Sequence, residues 1–204
     1  MTVVVVDYGV GNLGSILNML KKLGAEAKVS RAAVDIETAE RLILPGIGAF
    51  DSAMGKLTES GLIPVLKQRV LIQKKPLLGI CLGMQLLANG SEEGALPGLG
   101  WIDADIKRFR PEQMADAQKI PHMGWNKAAP TPNAPLFRGM ESDARFYFAH
   151  SFHVSCAPSA TLCATHYGYD FASGIVSGNI MGVQFHPEKS HRFGLKLLEN
   201  YLSI

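Results

Sequence analysis

Leu77-Leu78-Gly79-Ile80-Cys81-Leu82-Gly83-Met84-Gln85 is the stretch whose reading decides the fold of this chain. An apolar run beginning at Pro76 leads into small residues around a thiol, and Gly83 to Ala88 reads as an amphipathic helix. The pattern is strand, sharp turn, helix, with cysteine where a G-x-S-x-G nucleophile elbow carries serine. Glycines on either side let strand and helix approach closely. A thiol at that turn points outward at a helix N-terminus, where unpaired N–H groups favour a thiolate and can bind a developing oxyanion. The structural alternative is a small buried hydrophobe, which is what most cysteines after a strand are.

His186-Pro187-Glu188, about a hundred residues on, supplies what such a thiol lacks. In an extended strand, residues two apart share a face, so both side chains are expected to reach one cleft. Cys81, His186 and Glu188 then read as nucleophile, proton shuttle and the carboxylate that fixes the imidazole tautomer.

Working outward, short apolar runs alternate with amphipathic stretches through the first half. Val3 to Val6 reads as a buried strand, and Leu13, Ile16, Leu17, Leu20 and Leu23 recur at helical spacing. Strands are expected near Ala27 to Ser30 and Arg41 to Leu44, and a helix through Leu62, Val65, Leu66 and Val70. This alternation implies α/β architecture, with a mostly parallel central sheet flanked by helices. The second half has short strands at Trp101 to Phe109, Arg145 to Phe148 and Thr161 to Thr165, and a hairpin across Gly178-Asn179 that runs into His186. A last helix is expected to be capped by Ser190. No repeat or linker interrupts residues 1–204, which read as one domain.

Composition narrows the functional classes. A chain of 204 residues with 47% hydrophobic content and a mean hydropathy of +0.11 fits a soluble globular protein. A formal charge of +2 argues against a nucleic-acid binder with a basic face. No stretch approaches a membrane span, and Met1 to Asp7 reads as a strand and not a signal peptide. Three cysteines fit reduced thiols in a cytoplasm better than a disulfide framework.

Other motifs are weaker. Gly9-Val10-Gly11-Asn12-Leu13-Gly14 matches a dinucleotide fingerprint, but the next strand ends Val29-Ser30-Arg31, without the carboxylate that holds a ribose. A glycine turn presenting backbone to a partner or an active-site mouth is the better reading. Pro45-Gly46-Ile47-Gly48 is either an ordinary turn or a source of N–H groups beside Cys81. His150 and His153 are three apart in a strand-like run and should point to opposite faces. With Cys156 and Cys163 they make a poor zinc set, so structural or substrate-lining histidines are favoured. His166 and His191 have no partner in the sequence. Lys119 to Asn126 mixes aromatic, sulfur and polar residues, which suits a partner interface or a core loop equally.

Together, Pro45 to Phe50, Gly79 to Gln85 and His186-Pro187-Glu188 resemble the triad-type glutamine amidotransferases. Asp7 to Asn12, Lys119 to Asn126 and Tyr147 to Phe152 narrow the resemblance to the glutaminase subunits of imidazole glycerol phosphate synthases, over essentially the whole chain. The resemblance implies a flavodoxin-like fold and hydrolysis of L-glutamine through a thioester on Cys81. It implies an oxyanion hole from Leu82 and the Gly46, Ile47 and Gly48 segment, and glutamine held by Gly48, Gln85, Glu93 and Ser151. It further implies release of ammonia to a (β/α)₈ cyclase of histidine biosynthesis, held as a heterodimer, without cofactor or metal. Tyr8, Gly9, Val10, Gly11, Asn12, Met123, Trp125 and Lys189 are the expected interface. Ile47 and Phe152 stand where valine and tyrosine are common in such proteins. The nearest rival is the same chemistry feeding an anthranilate, aminodeoxychorismate or pyridoxal phosphate synthase. A dinucleotide-binding protein and a non-catalytic relative are the others.

Overall fold

A computed structural model describes residues 2–114 and 118–204. The first half alternates as its periodicity requires: β1 (Thr2–Val6), α1 (Leu13–Lys22), β2 (Glu26–Ser30), α2 (Ala33–Thr38), β3 (Arg41–Gly46), α3 (Phe50–Glu59) and α4 (Ile63–Lys67). A π-helical turn, Gln68–Ile72, prolongs α4, and then β4 (Leu77–Cys81) meets α5 (Leu82–Gln85). The second half holds β5 (Gly90–Ser91), β6 (Ala104–Arg108), β7 (His122–Lys127), β8 (Ala129–Pro130), β9 (Arg145–His150), β10 (Phe152–Cys156), β11 (Thr161–Tyr167), β12 (Tyr169–Ser177) and β13 (Ile180–Val183). The chain closes with α6 (His191–Leu202).

Among the described residues eleven strands form one sheet, whose main path runs β2-β1-β3-β4-β13-β12-β10-β6-β5. The block from β2 to β13 is parallel, and β12, β10 and β6 continue it antiparallel. A separate antiparallel ribbon, β7 with β9, stands off this sheet.

The sheet separates two cores because alternate side chains of its central strands go to opposite faces. Val4, Val6, Leu42, Leu44 and Leu77 pack on one side, beneath α3 and α4. Val3, Val5, Ile43, Leu78 and Ile80 pack on the other, with α1, α6 and the aromatic side chains of the ribbon. Burial on both faces is why these strands read as unbroken apolar runs and not as alternation. No helix among the described residues is long and apolar enough to cross a membrane.

Two local expectations are corrected. The segment Gly83 to Ala88 is not amphipathic: Leu82 to Ala88 are buried throughout, and α5 is a single turn. Ser190 occupies the N-cap position of α6 without a side-chain cap bond. Its hydroxyl instead donates to the His186 carbonyl at 2.6 Å and accepts the Tyr147 N–H at 3.0 Å. The hairpin across Gly178-Asn179 forms as expected, with Ser177 opposite Ile180.

Candidate active site

The turn from β4 into α5 puts Cys81 at φ 54° and ψ −114°, a conformation that L-residues rarely adopt. Such strain at a thiol is the backbone signature of an elbow. The flanking glycines make it possible. A Cβ on Gly79 would stand 2.7 Å from Met84 Cα, and one on Gly83 would overlap the Leu44 carbonyl. Gly46 pairs in register with Cys81 on the neighbouring strand β3, and a Cβ there would lie 2.5 Å from the Gly83 nitrogen.

His186 reaches the elbow from the end of β13. Its N–H donates to the Tyr147 carbonyl at 2.9 Å, and Ser190 holds its carbonyl from the other side. Glu188 does not share a strand face with it. Pro187 starts a 3₁₀ turn, Pro187–Lys189, and inside that turn His186 Nδ1 comes 2.8 Å from Glu188 Oε1. Both side chains are sealed from solvent, at 4% and 1% exposure. Burial alone would favour neutral imidazole, but hydrogen bonds and charge from Cys81 and Glu188 outweigh it and push His186 up to about 10. The arrangement therefore favours a charged imidazole between two acceptors.

A cavity of about 410 Å³ opens over this pair, lined by Cys81, Leu82 and His186 on its floor and by Ile47, Gly48, Glu93, Pro121, Ser151 and Lys189 around them. Gln85 lines it too, and both its amide hydrogens are engaged, toward Gln184 Oε1 at 2.9 Å and the Phe152 carbonyl at 3.3 Å. What Gln85 can offer a ligand is its oxygen, an acceptor. One Glu93 oxygen accepts the Phe50 N–H at 2.9 Å, and the Asp51 carboxylate accepts the Ala95 and Leu96 N–H groups. The loop carrying Glu93 is thus pinned to the start of α3. Of the four oxyanion residues expected, Leu82, Ile47 and Gly48 line the cavity, and Gly46 is buried behind it. Gly46 serves the close approach of β3 to α5. Gly48 has φ +90° and open space around its Cβ position, so its need for glycine is conformational.

The expected interface residues divide. Met123 and Trp125 alternate outward from β7 and are 63% and 48% exposed, while His122 points inward. Lys189 and Gly9 are exposed, and Gly11 and Asn12 half-buried. Tyr8 is the exception: it is buried, and its hydroxyl donates to the Pro45 carbonyl at 2.7 Å. Val10 is partly buried against the core. Of these residues Lys189 lines the cavity, and local contacts tie the others to their neighbours. Gly11 abuts Pro45, Lys189 lies 5.6 Å over the Tyr147 ring, and Tyr147 meets Trp125 edge-on. His191 stacks on Trp125 at 5.4 Å with the planes 7° apart.

His150 and His153 do not point apart. The chain bends between β9 and β10, and both rings pack on Phe109, at 5.3 and 4.8 Å, and on Phe171. His166 pairs with Asp170 at the surface, at 2.7 Å. Cys163 is buried and its thiol pushed up to about 12 by burial, an inert core group. Sequence reasoning read Ser190 only as a helix cap and passed over Gln184, because Tyr147 and Cys81, which they hold, are distant in the chain.

An elbow cysteine with a buried His–Glu pair, on this sheet order, defines the class-I glutamine amidotransferases; a model of that family matches residues 4–203, and the chain belongs to it. It is 50% identical over 203 residues to the imidazole glycerol phosphate synthase subunit HisH 2 of Pseudomonas aeruginosa, covering 99% of each. It is 48% identical over 201 residues to the HisH 2 subunit of Methanococcus maripaludis, covering 98% of each. Within the family, then, the chain belongs with the HisH subunits of imidazole glycerol phosphate synthase. Solved structures share the fold at lower identity. A glutamine amidotransferase superposes with a TM-score of 0.73 at 21% identity, over 98% of this chain and 97% of that one. PurLQS from Thermotoga maritima gives 0.72 at 19%, over 99% and 97%.

Proposed function

We propose that this chain hydrolyses L-glutamine and delivers the ammonia to a (β/α)₈ cyclase that makes imidazole glycerol phosphate in histidine biosynthesis. The observation that carries the reading is the strained Cys81 facing a charged, buried His186–Glu188 pair at the floor of one cavity. The Cys81 sulfur attacks the carboxamide carbon, and N–H groups of Leu82 and of the Ile47–Gly48 segment receive the oxyanion. His186 gives its proton to the amine, which leaves as ammonia, and a γ-glutamyl thioester remains. Water then loses a proton to His186 and attacks the thioester, glutamate departs, and the thiolate is restored. Glu188 keeps the imidazole oriented throughout. Gln85, Glu93, Ser151 and Gly48 hold the amino-acid head group, the acceptors facing its ammonium. No step calls for a metal or cofactor.

The cyclase docks on the face around the cavity mouth. Exposed Met123 and Trp125, with Lys189 and the Gly9–Asn12 turn, give an apolar centre with a charged neighbour, the make-up of a recognition surface. Unprotonated ammonia is small and easily lost, so a glutaminase that fired alone would waste its substrate. The isolated chain is accordingly poorly active, with the exposed Ile47–Ala49 segment completing the oxyanion hole only in the loaded complex. The chain acts as one amidotransferase domain, in a reducing cytoplasm, which its three free cysteines suit.

The test is reconstitution with the cyclase and its nucleotide substrate, with either glutamine or ammonium as nitrogen source. Cys81→Ala should abolish glutamine-dependent product and leave ammonium-dependent product intact. Equal glutamine turnover with and without loaded cyclase would remove the conditional activation. Activation by an anthranilate, aminodeoxychorismate or pyridoxal phosphate synthase instead would reassign the partner.

A further inference from the structure

Gln184, His150 and His122 are buried polar side chains with no part in the steps above. They belong to one hydrogen-bond chain. Gln184 Nε2 donates to Cys81 Sγ at 3.8 Å, and Gln184 Oε1 accepts from Gln85 Nε2 at 2.9 Å. The same Gln85 amide donates to the Phe152 carbonyl at 3.3 Å. His150 Nδ1 lies 2.7 Å from that carbonyl, His150 Nε2 2.9 Å from His122 Nδ1, and His122 Nε2 3.2 Å from the Asn126 amide nitrogen.

Chemistry fixes every direction. A carbonyl only accepts, so His150 carries its proton on Nδ1 and its Nε2 is bare. His122 must then donate from Nδ1, which leaves its own Nε2 to accept from Asn126. At the other end, Gln184 turns its oxygen toward Gln85 and so aims its nitrogen at the sulfur. The chain works only with both imidazoles neutral, and burial keeps them so, pushing His150 down to about 3 and His122 to about 4.

We infer that this chain positions the nucleophile: Gln184 holds the Cys81 sulfur as a thiolate through its amide N–H, and His150 and His122 fix the Phe152 carbonyl that anchors the Gln85–Gln184 pair. A donor aimed at sulfur favours the anion over the thiol. A buried network holds that donor in one orientation, which a lone glutamine would not keep. Its outer end, Asn126, sits on β7, the strand that carries exposed Met123 and Trp125. The inference rests on Cys81 being the nucleophile.

The experiment is alkylation of the full chain by iodoacetamide from acid to alkaline pH, with Cys81 followed by peptide mass spectrometry and with circular dichroism and melting recorded in parallel. Gln184→Met keeps the length and loses the N–H. Its profile should move to higher pH, and labelling at neutral pH should slow by about tenfold, the worth of one hydrogen bond to an anion. His122→Leu, remote from the sulfur, should shift the profile the same way by about threefold, and His122→Asn, which keeps a donor toward His150, should restore it. A folded Gln184→Met with an unmoved profile, or a His122→Leu that only melts lower, would overturn the positioning role. Should Gln184→Met fail to fold, the His122 pair decides alone. Glutamine must protect wild-type Cys81 from labelling. If it does not, the nucleophile reading falls and takes this role with it, whereas a protected thiol indifferent to both substitutions removes the positioning role only.

Discussion

His186 Nδ1 and Glu188 Oε1 lie 2.8 Å apart across a turn that Pro187 begins. Proline has no N–H to extend a ladder and a fixed φ that suits the first position of a helical turn. The extended backbone beyond β13 therefore ends at the histidine, and the carboxylate swings back to it. A His-x-Glu in a continuing strand would leave the two side chains parallel instead of touching.

Glu188→Gln keeps the size and removes the charge. Because the folded value of His186 is raised from 6.5 to about 10, the stability it contributes is full below pH 6.5 and lost as pH rises through about 10. Denaturant melts of Glu188→Gln should lose stability less steeply over that interval. Glutamine hydrolysis in the loaded complex should fall by about 10²-fold or more. Unchanged turnover would deny the carboxylate its role.

Acid stability follows the opposite sign. His122, His150 and His153 are all lowered by burial, so below pH 6.5 the unfolded chain takes up protons that the folded chain refuses. Stability should fall as pH drops from 6.5 toward about 4. The lowered carboxylates Asp7, Asp35, Glu40 and Glu92 start from 3.8 or 4.5, so they add their loss only at the lower end. Urea midpoints at pH 6.5, 5.5 and 5 check this, and His122→Asn should flatten the slope.

The glycines separate packing from chemistry. Gly83→Ala would overlap the Leu44 carbonyl and Gly46→Ala would meet the Gly83 nitrogen, so both should destabilise the fold by about 2 kcal/mol or more. Gly48→Ala meets nothing within 4 Å and carries only the backbone cost of a positive φ, about 1 kcal/mol. It should fold and yet lose glutaminase activity, as seen by comparing melting with turnover in the loaded complex. Wild-type turnover would take Gly48 out of the oxyanion hole.

Trp125→Ala should change stability by less than about 1 kcal/mol, since the ring is 48% exposed and its main contact is a stack on His191. Cyclase affinity should fall by about tenfold or more. Tyr8→Phe removes the hydrogen bond to Pro45 and should act the other way, lowering stability by about 1 kcal/mol while sparing the interface. Isothermal titration beside thermal melts separates the two.

What could be read from the sequence was whatever is encoded locally. Gly79 and Gly83 around a thiol announce a close strand–helix approach, and unbroken runs such as Val3 to Val6 announce burial on both faces. Among distant partners, His186 and Glu188 announce themselves to Cys81 by their chemistry, whereas single polar contacts leave no such mark. Tyr8 reads as a surface aromatic until Pro45 is placed above it, and Ser190 reads as a cap until Tyr147 and His186 claim its hydroxyl. Strand periodicity puts His150 and His153 on opposite faces, because the bend at Ser151 leaves no mark in it. Helical spacing in Gly83 to Ala88 came from neighbours on every side, which a moment of apolar residues cannot distinguish from one face.

The most direct measurement is glutamate release from glutamine by this chain, alone and with the cyclase carrying its nucleotide ligand, in wild type and Cys81→Ser. The account predicts little release alone, strong release in the loaded complex, and loss of that release in the variant. Release that survives Cys81→Ser, or a loaded cyclase that stimulates nothing, would contradict it.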